Sequence, residues 1–232
     1  MKKFFSLLAA AVLLAACGTT QSLPTQSSST TYKVGDIYSQ NGLSGVVVVV
    51  DDSGKHGLIM SLTASKDKWL ANKELKYSTN AFFDDDGEKN MAAIEACIKE
   101  NNVSWADFPA FAWARSLGEG WYIPSRVEGR MAMMNLDSVF NDKDVSDRAK
   151  KVNKIFTTYG GDSIMYHKYQ GTGIFLLIGF ISWYDAGLVD LITSTEKTGG
   201  ELVWTTSNSG VFKTVKANTG VLGEQIRAIH KF

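Results

Sequence analysis

Residues 107–128, with the sequence DFPAFAWARSLGEGWYIPSRVE, constrain the fold more than any other part of the chain. Asp107 is a residue type that caps helices, and Pro109 suits a first helical turn, where proline sacrifices no hydrogen bond. Gly118 suits the left-handed conformation that ends a helix. The aromatic run at residues 121–123 has high β propensity. The segment therefore predicts a helix, a glycine stop and a short strand.

A second helix is expected to begin inside the same segment. Ser125 and Glu128 have the S-x-x-E spacing of a capping box, in which the two side chains satisfy free backbone amides at a helix start. The helix would begin at the residue after the serine. Val127, Met131 and Met134 recur at helical spacing, so we expect these three side chains to form its apolar, core-facing stripe.

The rest of the chain alternates between strand and helix patterns. A valine-rich run, a turn and a returning apolar run at residues 45–62 predict a core hairpin. Helical periodicity predicts helices after the acidic run at residues 84–90 and over residues 142–159. A second hairpin is expected over residues 202–215, and a final strand over residues 226–232. This succession of elements predicts an α+β domain.

The segment also carries a resemblance to a known family. L-G-E-G-W-Y-I-P-S-x-x-E, at residues 117–128, resembles the signature of the C-type-lectin-like domains of bacterial surface lipoproteins, the Lcl C-terminal-like group. Gly129 stands where that family usually has leucine. Pieces that fit the family in order cover roughly residues 32–136 and 192–232. Residues 137–191 match poorly and are interpreted as a family-divergent insertion.

The resemblance implies a fold rather than a reaction. It implies a C-type-lectin-like architecture, which is a mainly antiparallel twisted sheet with flanking helices and long loops. The first and last strands pair in such domains, so residues 34–38 are expected beside residues 228–232. The sugar-binding calcium motifs E-P-N and W-N-D are missing, and so is the cysteine pair of the formylglycine-generating relatives. The resemblance in fold alone therefore supports neither calcium-dependent sugar binding nor formylglycine-generating activity.

The first 31 residues have the pattern of a bacterial lipoprotein leader and tether. Residues 1–16 combine two lysines with a short apolar run, which is typical of a signal peptide. Small residues precede Cys17, whose thiol would accept the lipid, and multiple acyl chains would anchor the chain stably. Gly18 favours the outer membrane by resemblance to lipoprotein sorting signals, with the exposed face left open. Residues 17–31 are expected to be a flexible tether and residues 32–232 a single domain.

Composition excludes several classes of function. Lys+Arg and Asp+Glu are both 24, and loss of Lys2 and Lys3 with the leader leaves 22 against 24, a net charge of −2. No basic run remains, so nucleic acid is not an expected partner. One of the two cysteines is at the lipidation position, which leaves none to pair with Cys97 in the domain. The three histidines are isolated and have no ligand-like spacing.

Asp84, Asp85 and Asp86 form the densest acidic cluster. A calcium loop is one interpretation, but the spacing does not match an EF-hand and no bidentate glutamate follows at the required distance. The favoured interpretation is a helix N-terminus, where acids complement the helix dipole. Cys97 lies on the apolar face of that helix, where it is expected to be buried and inert. We predict no metal, no cofactor and no catalytic residue.

The leading hypothesis is an outer-membrane lipoprotein whose domain binds a glycan or a surface protein without catalysis. Trp183, Tyr184 and Asp185 are the candidate ligand-binding residues, because long loops carry ligand contacts in the resembled fold; a core elaboration is the alternative interpretation. A hydrolase or modifying enzyme is a second hypothesis, and it requires Glu119 or Asp185 to lie near His167. A structural subunit of a surface assembly is the third. The ligand and the oligomeric state stay open.

Overall fold

The computed structural model describes residue 23 and residues 30–71, 78–140, 143–170, 183–188, 190–197, 202–206, 212–217 and 224–232. Its helices are α1 (Gly87–Asn101), α2 (Pro109–Ser116), α3 (Arg126–Ser138) and α4 (Val145–Thr158). Its strands are β1 (Ile37–Gln40), β2 (Leu43–Val50), β3 (Gly57–Met60), β4 (Met165–Gln170), β5 (Trp183–Leu188), β6 (Asp190–Lys197), β7 (Leu202–Thr206), β8 (Phe212–Lys216), β9 (Glu224–Gln225) and β10 (Ile229–Lys231). The α+β class is confirmed. Residues 1–22, including Cys17, lie outside the described residues.

A four-stranded antiparallel sheet with the order β1–β2–β3–β10 organises the domain. The valine-rich strand β2 lies between β1 and β3, as the predicted hairpin requires. The predicted pairing of residues 34–38 with residues 228–232 is wrong. A tight turn with positive φ at Asn41 and Gly42 folds β1 directly onto β2, which leaves the free edge of β3 to β10.

Both faces of this sheet are buried, because alternate residues of its strands enter two different cores. Val47 and Ile59 belong to the first core, which α1 and α2 cover. Val46, Val48 and Met60 belong to the second core, which α3 and α4 cover. The sheet therefore separates two helical layers, α1 with α2 and α3 with α4.

The remaining strands form two further sheets. β4 and β5 pair antiparallel, and the other sheet has the order β8–β7–β6–β9, with β6 and β9 parallel. The predicted hairpin over residues 202–215 corresponds to β7 and β8. The divergent segment at residues 137–191 supplies α4, β4 and β5. The almost wholly apolar run at residues 174–183, which its length and composition predict to be a buried core segment, lies almost wholly outside the described residues.

The predicted core stripe of α3 is wrong. Met131 and Met134 are 43% and 42% exposed. The buried residues are instead Gly129, Ala132, Met133 and Leu136, which share the opposite part of the helix surface. Gly129 and Ala132 are small, so the helix approaches the sheet closely at these positions. The prediction considered only large apolar side chains and therefore chose the wrong face of the helix.

Arg227, just before β10, is completely buried. Its guanidinium donates to the carbonyl oxygens of Ser61, Leu62 and Asp162 at 2.8–2.9 Å, and its Nε donates to the side-chain oxygen of Gln225 at 3.0 Å. Burial lowers the pKa of Arg227 to about 10, so the group keeps its charge at neutral pH. One side chain thus fixes three separate segments of the chain.

Candidate functional site

The segment at residues 118–122 lines a groove of about 620 Å³ between α1 and α2. We call it the signature groove. Its walls combine aromatic rings with carboxylates and one guanidinium, and these side chains belong to Glu88, Glu95, Trp105, Arg115, Glu119, Trp121 and Tyr122. Concave sites of this size with a few convergent polar groups are typical binding sites.

One wall of the signature groove is a stacked pair. The Arg115 guanidinium lies 4.1 Å from the centre of the Trp105 ring, as expected for a cation–π contact. Trp105 opens a short 3₁₀ turn (Trp105–Asp107), in which the Asp107 carboxylate accepts a hydrogen bond from the Ser104 backbone amide at 2.9 Å. The predicted role of Asp107 as the cap of α2 is therefore wrong, because it caps this turn and Phe108 occupies the α2 cap position.

The opposite wall joins the glycine-rich loop to the end of the chain. The rings of Trp121 and His230 lie 5.4 Å apart at 63°, and His230 Nε2 is 3.1 Å from the backbone oxygen of Glu119. A Cβ at Gly120 would lie 2.5 Å from His230 Nε2. Gly120 also has a φ of 78°, so the loop needs glycine there for both space and conformation.

Two of the three groove carboxylates are held by lysines. Glu95 pairs with Lys99 at 3.2 Å, and Glu88 pairs with Lys231 at 2.5 Å. Glu119 is exposed at the rim. These oxygens are positioned to accept hydrogen bonds from hydroxyl or amine groups, and Arg115 offers donors on the facing wall.

Glu128 lies behind the signature groove and joins three parts of the structure. Its Oε2 accepts from the backbone amides of Gly87 at 2.9 Å and Ser125 at 2.8 Å, and its Oε1 accepts from the Tyr122 hydroxyl at 2.9 Å. The predicted capping box is confirmed, and it also supplies an acceptor to the start of α1. A Cβ at Gly87 would lie 2.6 Å from the Ile123 backbone oxygen, so only glycine permits this approach.

Tyr122 connects this carboxylate to the groove that it lines. Burial, followed by the negative charge of Glu128, raises the pKa of Tyr122 far above its ordinary value. The phenol therefore stays protonated and donates to Glu128. The predicted strand at residues 121–123 is reduced to a single bridge between Tyr122 and Ile229, which ties the groove to β10.

The acidic cluster caps a helix, as the favoured interpretation predicts. Asp86 is the N-cap of α1 and accepts from the Lys89 backbone amide at 2.9 Å, which lowers the pKa of Asp86. Asp84 forms an ion pair with Arg126 at 2.6 Å, and Asp85 is exposed. Among the described residues no group of three or more His, Cys, Asp or Glu side chains is arranged to hold a metal ion.

We expect Asp86→Ala to lower the free energy of unfolding by about 1 kcal/mol, the usual effect of losing a helix cap. Asp85→Ala is the matched control, and it should change stability by less than about 0.5 kcal/mol because the side chain is exposed. Urea denaturation with and without millimolar calcium measures both. A calcium-dependent gain in stability that Asp85→Ala abolishes would instead support the calcium loop.

The three residues that the sequence predicts to bind a ligand are not among those that line the signature groove. Trp183, Tyr184 and Asp185 open β5, where they lie opposite Gln170, Tyr169 and Lys168 of β4. Their role in ligand binding stays a prediction.

The enzyme hypothesis required Glu119 or Asp185 near His167. The backbone oxygen of Glu119 is instead beside His230. His167 pairs with Ala186 in the β4–β5 register, one position from Asp185. Cys97 is buried, as predicted, and burial raises the pKa of its thiol. Sequence reasoning missed Trp105 and His230, since neither belongs to a periodic pattern.

Comparison with known proteins assigns no family. No protein-family model matches the chain, and no curated protein matches it. Separately, none of the helices among the described residues is long and apolar enough to cross a membrane.

Proposed function

We propose that this protein is a lipid-anchored, non-enzymatic binding module of the bacterial outer membrane, with a C-type-lectin-like domain and its ligand in the signature groove. The carrying observation is one groove of about 620 Å³ that brings the Trp105–Arg115 stack together with the carboxylates of Glu88, Glu95 and Glu119. Trp121 is only 6% exposed, so the half-buried Trp105 ring is the apolar surface that lies beside these hydrogen-bonding groups, and together they suit a ligand with both apolar and hydroxyl-bearing surfaces.

A glycan is the ligand class that fits this combination. Sugar rings present C–H faces that pack on aromatic rings, and their hydroxyls donate to carboxylates. The ion pairs of Glu88 with Lys231 and of Glu95 with Lys99 hold both carboxylates in place as hydrogen-bond acceptors, which supports binding of a hydroxyl-bearing ligand. The fold assignment in this proposal rests on the L-G-E-G-W-Y-I-P-S-x-x-E resemblance, and the anchor rests on the leader and Cys17.

The groove is tested with glycan and protein arrays, followed by calorimetry on each positive ligand. We expect Trp105→Ala and Arg115→Ala each to weaken binding about tenfold or more, because truncating an interface anchor typically costs about 2 kcal/mol. Phe82→Ala is the control, since Phe82 is 45% exposed and does not line the groove.

Two outcomes contradict this function. Full affinity in both groove variants would move the site away from the signature groove. Silence on both arrays would count against a binding module and favour the structural-subunit alternative, which the native mass of the purified protein would then test.

A further inference from the structure

A second groove lies where the tether joins the domain. It has a volume of about 1000 Å³ and lies between residues 31–37 and α4. We call it the tether-side groove. Aromatic rings and exposed lysines share its lining, and the residues that matter here are Tyr32, Lys33, Phe140, Lys151, Lys154 and Tyr159.

The tether-side groove is positively charged, although the chain as a whole is balanced with 24 cationic and 24 acidic residues. Its charged lining residues are Lys33, Lys151, Lys154 and Asp36, so three cations face one anion for a net charge of +2. The Asp36 carboxylate accepts from the Lys33 backbone amide at 2.9 Å. A cationic groove with aromatic walls suits an anionic surface that also has an apolar layer.

One described residue of the tether, Leu23, contacts the domain. Leu23 packs against the second core, the same core that Phe140, Ile155 and Tyr159 of the tether-side groove contact. The expectation that residues 17–31 form a flexible tether does not account for this contact. Six residue steps separate Cys17 from Leu23. Even fully extended they span only about 20 Å.

We propose that the tether-side groove faces the bilayer and that its lysines bind the phosphate groups of anionic phospholipids. The proposal rests on the lipid anchor of the proposed function, because an acylated Cys17 keeps the surface around Leu23 within about 20 Å of the membrane. Lysines near an anionic surface are attracted to it, and the attraction acts within a Debye length of about 8 Å.

This orientation has a consequence for the ligand. α4 lines the tether-side groove and packs on the second core, whereas α1 lines the signature groove and packs on the first core. The two grooves share no lining residue, so docking of the tether-side groove on lipid would leave Trp105 and Arg115 free to contact a ligand.

The test uses the full protein, purified from membranes and reconstituted into vesicles of neutral phosphatidylcholine or of phosphatidylcholine with phosphatidylglycerol. An amine-reactive label is applied, and modification at each lysine is measured by mass spectrometry. We expect labelling of Lys33, Lys151 and Lys154 to fall several-fold on anionic vesicles only. Lys89 and Lys99 on α1 are the internal controls and should label equally on both. At 1 M salt, where the Debye length is about 3 Å, the protection should disappear.

A variant pair supplies a second readout. Anionic vesicles should slow amide hydrogen exchange in α4 several-fold for the natural protein. Replacing Lys33, Lys151 and Lys154 with glutamine should abolish this slowing, whereas the matched triple substitution of Lys68, Lys89 and Lys99 should keep it. All six side chains are exposed, so folding is not expected to change.

The outcomes separate the two proposals. If the protein fails to float with either kind of vesicle, both the anchor and the docking are overturned. If it floats but the groove lysines label equally on both vesicles, or if both triple variants lose the slowing alike, docking alone is overturned. Ligand binding in the signature groove is measured without vesicles and is unaffected by either result.

Discussion

Arg227→Met is expected to lower the free energy of unfolding by about 4 kcal/mol, a loss that few single substitutions produce. The side chain is completely buried and donates to the carbonyl oxygens of Ser61, Leu62 and Asp162. Methionine matches much of its apolar volume but offers no donor. The buried Ser61 carbonyl would lose its donor at a cost of about 1–3 kcal/mol, and the lost bonds to the part-buried Leu62 and Asp162 carbonyls add to this, partly offset because a charge no longer has to be desolvated.

Arg227→Lys tests whether geometry or charge is responsible. A lysine ammonium is a compact point with three donors, so it cannot reach at once all the acceptors that Nε, Nη1 and Nη2 of the guanidinium contact around its edge. We expect a loss of about 2–3 kcal/mol in urea denaturation. Arg130→Met, at an exposed position on α3, is the control and should lose less than about 1 kcal/mol. Wild-type stability in Arg227→Met would mean that the carbonyls find other donors.

Glu128→Ala is expected to lower the free energy of unfolding by about 3 kcal/mol, because it removes the shared acceptor of Gly87, Ser125 and Tyr122. Two helix starts lose a partner at once. Amide hydrogen exchange should therefore accelerate in the first turns of both α1 and α3, whereas loss of an ordinary cap would affect one helix only.

Glu128→Gln refines the measurement. It keeps one acceptor oxygen but turns an amide nitrogen toward a donor, so an intermediate loss of about 1–2 kcal/mol is expected. Glu100→Ala, at an exposed position of α1, is the control and should change stability by less than about 0.5 kcal/mol. If exchange accelerates in α3 alone, the bond to Gly87 does not contribute to the stability of α1.

Short-range chemistry explains the successful predictions. The Ser125–Glu128 box and the Asp86 cap each depend on residues three positions apart, and both are confirmed. Arg227 depends instead on Ser61 and Asp162, which are 166 and 65 residues away. In the run I-R-A-I-H-K an arginine between apolar residues reads as solvent-facing, and only the three-dimensional arrangement of distant carbonyls explains its burial.

In the signature groove too, the sequence predicted short-range features and missed long-range contacts. The sequence identified the glycine-rich segment with Glu119 and Trp121 but not its partners. His230 reaches Glu119 from 111 positions away, and Trp105 stacks on Arg115 because of a 3₁₀ turn that no periodicity predicts. The pairing of chain termini failed for a related reason, since strand order depends on which edge is free and not on the strands' own sequences.

Proteolytic loss of β1 would uncover β2, the valine-rich strand that it pairs with. Residues 46–50 are five consecutive valines, and β1, only four residues long, pairs with residues 43–46 and reaches only the first of them. A proteolytic cut within residues 32–40 would release β1, together with the backbone bonds of residues 35 and 36 to Val47, and would expose the uncharged edge of residues 43–47 to other molecules. Molecules cleaved in this way would pair through their exposed β2 edges and self-associate. The N-terminus of a preparation should therefore be shown to be intact before its particle size is interpreted.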